Sequence, residues 1–296
     1  MHVRDRMIER RLLLGALVCA FLFIIIYSAL VSTAWGHQFD DDAFLSRTLL
    51  NHKFIRLNFH LLDLFRRSTL LLVILLILGI GMVRRCTLAG AVAAVAFGGA
   101  VFGAELFKSV LPWQEMIPDD GLLGIGFYTN TFPSGHATAA TSLTLSLILV
   151  SASRWRLPLA IAGGCLTAVF ATGVFFVGWH RPSDALGALA WSGLCMSLAA
   201  AVVVRMRGKP RSALNLQGTG VRFRSIVTGI FAVAAACLIS AAAASQDLLN
   251  DAPFFLVTGL IIGGAFALIA WYGWQLRAVD WPEVSRKGTP RYAKEF

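Results

Sequence analysis

The sequence predicts an all-α, polytopic membrane protein, and three observations carry that prediction. Hydrophobic residues occupy 57% of the 296 positions, charged residues 14%, and the mean hydropathy is +0.71, well beyond what a water-soluble domain of this length needs for its core. The apolar residues fall in long uninterrupted runs, several of them able to cross about 30 Å of hydrocarbon as helices. When the connecting segments are sorted alternately into two sides, 19 of the 26 Lys and Arg residues fall on one side, as expected of a chain threaded repeatedly through a bilayer.

Eight runs read as helices: roughly 12–34, 69–83, 87–107, 137–151, 157–178, 185–204, 225–244 and 254–272. The first follows the basic stretch MHVRDRMIERR and precedes Ser32-Thr33-Ala34, a loose match to a signal cleavage site. Its apolar run is too long for a signal core, so it is read as an anchor. The second and fourth runs are short for a span. Arg84 and Arg85 follow the second run, and Arg154 and Arg156 follow the fourth. After the sixth comes RMRGKPRSALNLQGTGVRFR, a polar linker. The expected organisation is a six-helix transmembrane domain over 1–205, a cytoplasmic linker over 206–224, a two-helix addition over 225–273 and a cytoplasmic tail over 274–296. The tail stretch WPEVSRKGTPRYAKEF is too polar and proline-interrupted for an assigned element.

The basic excess places both termini in the cytoplasm and makes the plasma (inner) membrane the expected location. Most of the net charge of +10 is this excess, which suits anionic lipid. No basic-aromatic module or zinc-ligand spacing supports nucleic-acid binding. The five cysteines lie unclustered in or beside apolar runs, so they indicate neither a disulfide framework nor a metal site. Asp40, Asp41 and Asp42 read as a solvated acidic loop.

With this topology Lys108, the PSGH of residues 133–136 and the GWHRPSD of residues 178–184 arrive at one membrane face. Ser134 and Gly135 precede a helix whose first amides and dipole favour an anion, and Gly135 allows close backbone approach. His136 stands at the water boundary, where an imidazole exchanges protons near neutral pH. His180 ends one helix, and Asp184, four residues on, opens the next behind Pro182, a residue suited to a first turn. A carboxylate at that spacing can fix the imidazole tautomer and leave the other nitrogen free to attack. Two histidines in separate roles suit displacement at phosphorus, with Lys108 neutralising phosphate charge. Each feature also has a plain structural reading: helix caps at Ser134 and His180, and an interfacial lysine at 108 paired along its helix with Glu105.

Taken together, PSGH before a membrane helix, His-x3-Asp one helical hairpin later and a lysine ending the preceding helix resemble the type 2 phosphatidic acid phosphatase superfamily over roughly residues 60–205. The resemblance implies a six-helix bundle with three motifs at one face. It also implies His136 as proton donor, His180 as the residue that becomes phosphohistidine, and Asp184 as its orienting group. Lys108, Ser134 and Gly135 would be phosphate ligands, and no metal or other cofactor is implied. Two departures stand out. KSVLPWQEM carries Trp113-Gln114 in place of an Arg-Pro pair, and Gly173 and Val174 stand where Ser-Arg precedes the third-motif histidine. Both bidentate phosphate forks are thereby absent. Arg181, and Arg66 or Arg67 at the outer end of the second helix, are the candidate substitutes.

Three function classes fit these residues. The first is a phosphatase acting on a membrane lipid phosphate or polyprenyl phosphate at the outer face. The second is a head-group phosphotransferase, since relatives such as sphingomyelin synthases use a similar His, His, Asp set. The third is a catalytically weakened lipid-binding or scaffold protein, with the last two helices docking a membrane-protein partner.

Overall fold

The computed structural model describes residues 3–63, 67–112, 130–207, 209–210, 248–277 and 279–280. The expected helix at 225–244, most of the linker and tail, Arg66 and the Trp113-Gln114 pair lie outside the described residues. Nine α-helices are described: α1 (Val3–Ile26), α2 (Ala34–Leu45), α3 (His52–Leu62), α4 (Arg67–Val83), α5 (Thr87–Val110), α6 (Gly135–Val150), α7 (Ser153–Phe176), α8 (Pro182–Arg207) and α9 (Leu248–Leu276). A π-helical turn, Tyr27–Val31, extends α1, and the pair Lys209–Pro210 and Val279–Asp280 forms a minimal antiparallel ladder.

Among the described residues, five spans are long and apolar enough to cross a membrane: Arg6–Val31, Thr87–Val110, Ser153–Phe176, Pro182–Met206 and Asp251–Leu276. The two short expected runs are short here as well, Ser68–Val83 and Gly135–Val150. Leu17, Phe21 and Ile24 on α1, Leu71 and Leu75 on α4 and Phe102 on α5 stand exposed, a surface that belongs against lipid rather than water. Helix α6 is nearly all buried. Its 16 residues span about 24 Å, against about 36 Å for the 24-residue α5 and α7.

Close crossings rest on small residues. Gly81 and Gly90 bring α4 and α5 together, because a Cβ on Gly81 would lie 2.8 Å from the Gly90 Cα. Helix α9 is part of the same packing: Phe266 fills the notch at Gly164, and the buried Tyr272 hydroxyl donates to the Met196 carbonyl at 3.2 Å.

Contacts sort the chain into two ends. At one end Arg84 donates to the Val150 carbonyl, and Arg205 meets Glu9 at 3.5 Å. There the buried Arg156 donates to the Leu276 and Val279 carbonyls, satisfying the open end of α9. The other end holds Tyr27, whose hydroxyl donates to the Pro112 carbonyl at 2.6 Å, together with Lys108, His136 and His180.

The segment between the first two spans overturns one expectation. Asp40, Asp41 and Asp42 do not form a solvated loop; they lie in α2, which Thr33 caps by accepting the Gly36 amide at 3.0 Å. Asp40 is 1% exposed. Helix α3, capped by Asn51, was likewise not anticipated.

Candidate active site

The residues 130–134 bind three helices into one frame. Asn130 donates to the Phe107 and Leu111 carbonyls, satisfying the carboxyl end of α5, and accepts the Phe132 amide at 2.9 Å. Phe132 is buried against Gly187 of α8, where a Cβ would lie 2.2 Å from its ring, and it packs on Phe23 and Tyr27 of the first span. Thr131 donates to Asp184 Oδ2 at 2.6 Å, and the Ser134 amide donates to the Asp184 carbonyl at 3.0 Å. The amino ends of α6 and α8 are thus held side by side.

Ser134 caps α6: its hydroxyl accepts the Ala137 amide at 3.4 Å and its carbonyl accepts the Thr138 amide at 3.0 Å. Among the described residues the amides of Gly135 and His136 have no acceptor, so they are the open donors of this helix end. Ser134 is fully buried, and its hydroxyl is occupied as the cap.

The α7–α8 turn positions the second histidine. Gly178 adopts φ +80° where α7 ends, a conformation that glycine takes without strain, and the Trp179 and His180 amides both donate to the Val174 carbonyl. His180 Nδ1 lies 3.0 Å from Asp184 Oδ2. That oxygen also accepts from Thr131 and from the Arg181 amide at 3.1 Å. A carboxylate only accepts, so the proton sits on Nδ1 and the Nε2 lone pair is free.

His180, His136, Lys108, Gly135, Glu105 and Trp179 line one cavity of about 690 Å³, and its other described lining residues are the apolar trio Leu70, Val101 and Ala139. The His136 ring stacks obliquely on Trp179 with centroids 5.4 Å apart, and Trp179 in turn meets Phe59 of α3 edge-on at 5.2 Å. Lys108 Nζ pairs with Glu105 Oε1 at 2.8 Å, directly beside Gly135.

Arg181 departs from its expected place. Its guanidinium turns away from the cavity toward α2, with Nη1 2.8 Å from His37 Nδ1 and Nη2 2.9 Å from Asp41. Because arginine only donates, His37 Nδ1 accepts and its proton sits on Nε2. Next to it Asp40 accepts from the Ser183 amide at 3.0 Å and its hydroxyl at 2.5 Å. Helix α2 therefore grips the His180–Asp184 turn on two sides. Gly173 and Val174, at the positions of the missing motif pair, lie in α7, where Val174 is fully buried and Gly173 faces Asn58 of α3.

Burial pushes the Asp40 carboxyl up to about 7, the nearby Asp184 charge adding to the effect while Ser183 and Arg181 oppose it. Burial also pushes Asp41 upward, and burial with the Arg181 charge holds His37 down to about 4. The two groups act oppositely on stability. Asp40 holds its proton in the folded state above the usual carboxylate range, so the stability it contributes is present below pH 4 and lost toward pH 7. The stability contributed by neutral His37 is present above about pH 6.5 and lost as pH falls toward 4. Thermal unfolding of His37→Gln should show a midpoint falling from pH 4 to 7, and Asp40→Asn one rising over pH 4 to 6.5. Matching profiles for the two variants would contradict this opposition.

No family model matches the chain, and no curated protein does. Among solved structures, the chain is similar to a crystal structure described as the first transmembrane PAP2 type phosphatidylglycerolphosphate phosphatase from Bacillus subtilis. The identity is 18% and the TM-score 0.48, over 64% of this chain and 94% of that one.

Proposed function

We propose that the protein is a membrane phosphatase that hydrolyses a lipid phosphate or polyprenyl phosphate through a phosphohistidine, at the extracytoplasmic face of the plasma membrane. The observation that carries this reading is His180, held by Asp184 in the tautomer that leaves Nε2 free, in one cavity with His136 and Lys108. The apolar wall of Leu70, Val101 and Ala139 suits the chain of a lipid beside its phosphate.

In this mechanism the phosphoryl group rests on Lys108 and the open amides of Gly135 and His136. Nε2 of His180 attacks phosphorus, the bond to the ester oxygen breaks, and His136 gives that oxygen its proton. The cationic phosphoimidazole keeps its Nδ1 proton against the Asp184 carboxylate. A water then gives a proton to His136 and attacks phosphorus, releasing phosphate and restoring His180. Arg181 contributes as a positioning residue through α2 and not as a phosphate fork. An intact His180–Asp184 pair opening on a cavity favours chemistry over a scaffold role.

Purified protein in detergent should release phosphate from phosphatidate, diacylglycerol pyrophosphate or a polyprenyl phosphate, with chelators leaving the rate unchanged. Absence of release from all of these by the wild type would remove the reading. The orientation has its own check: in a cysteine-free background Lys53→Cys, exposed on α3, should react with an impermeant thiol reagent from outside intact cells, and Arg205→Cys should not. The reverse labelling would place the cavity in the cytoplasm.

A further inference from the structure

The cavity carries an acidic group that phosphate binding alone does not call for. Glu105 lines it one turn before Lys108, and the two are paired at 2.8 Å. A Cβ on Gly135 would lie 2.7 Å from Glu105 Oε1 and 3.6 Å from Lys108 Nζ, so both charges sit against the amino end of α6 where the phosphate is to bind. Among the described residues the other ionisable groups on the cavity wall are the two imidazoles. With His180 neutral and His136 carrying the proton it gives to the leaving oxygen, the described wall holds one net positive charge against a phosphate dianion. A phosphate dianion arriving there meets a carboxylate within a few ångströms and must share a lysine already neutralised by it.

Resting on the phosphatase reading above, we infer that Glu105 forms a cation subsite, and that the preferred substrate is a phosphate ester whose head group carries an ammonium beside the phosphate. The substrate ammonium takes the place of Lys108 on the Glu105 carboxylate, and the released lysine turns to the phosphate. Two ion pairs then form at the cost of one, and the carboxylate that would repel a simple phosphate becomes a recognition element. Gly135 leaves the room this exchange requires, since any side chain there would press on the Glu105 carboxylate.

The test compares a long-chain 2-aminoalkyl 1-phosphate with the same alkyl phosphate lacking the amine, so that the bond broken is identical. Wild-type protein should favour the amine in kcat/KM by roughly tenfold or more, the scale of one charge-assisted hydrogen bond. Glu105→Gln should erase most of that ratio, chiefly by losing the amine-bearing substrate, and Glu105→Asp should retain part of it. Equilibrium binding of the same two lipids to His180→Ala protein, with and without Glu105→Gln, reads the subsite without turnover. A ratio unmoved by Glu105→Gln in both assays, or equal preference for a 2-hydroxyalkyl phosphate, would overturn the cation subsite while leaving the phosphatase reading intact. Absence of turnover of both lipids by the wild type, with the binding preference preserved, would overturn the phosphatase reading alone.

Discussion

His180→Ala should reduce turnover of a lipid phosphate by on the order of 10⁴- to 10⁶-fold, the scale on which enzymes lose rate when the attacking group is removed. The size of the effect follows from the place of the side chain. His180 has its Nδ1 committed to Asp184 and borders the cavity, so it presents an oriented lone pair there that no other described residue of that wall matches. His136 lies on α6, its ring against Trp179, and its removal should cost less, about 10²- to 10⁴-fold, as for loss of a general acid. A leaving group of low basicity should narrow that loss for His136→Ala and leave the His180→Ala loss untouched. Steady-state rates on an ordinary lipid phosphate and on an aryl phosphate would show the separation. A His180→Ala rate within tenfold of wild type would remove that residue from the reaction.

Asp184 carries the second large expectation, and the local hydrogen bonds make it specific. Its Oδ2 accepts from His180 Nδ1, Thr131 and the Arg181 amide, and the backbone donor can only be met by an acceptor. In Asp184→Asn the amide oxygen should therefore occupy that position and preserve the tautomer of His180, while the negative charge facing the cationic phosphoimidazole is lost. The expected cost is about 10²- to 10³-fold in kcat, comparable to removing one well-placed electrostatic group. Asp184→Ala loses tautomer and orientation as well and should fall on the order of 10⁴-fold. Equal losses for the asparagine and alanine variants would show that the charge alone is at stake and that orientation adds nothing.

The sequence made the spanning helices visible because uninterrupted apolarity is a local property, legible without knowing what packs where. The chemistry-bearing pairs were legible for a related reason. Asp184 follows His180 by four positions and Lys108 follows Glu105 by three, spacings at which side chains meet within one turn. Helix α2 was not legible as part of the site. Its three consecutive aspartates look solvated by composition, and what buries Asp40 is Ser183, 143 positions away. The direction of Arg181 depends on the same long-range approach, because only the docked α2 offers it His37 and Asp41. Thr131 stands three residues ahead of Ser134, yet its role exists only once the amino end of α8 is beside it.

The central claim is that a phosphoryl group passes through Nε2 of His180. The most direct measurement is to mix the protein with lipid phosphate labelled in the phosphoryl group, quench within a turnover, and locate the label on the peptide containing His180. The account predicts label that is stable to alkali and lost in acid, as for a phosphoramidate, present in wild type and in reduced yield in Asp184→Asn, and absent in His180→Ala. Label on a different residue, or active turnover with no labelled protein at any quench time, would contradict it.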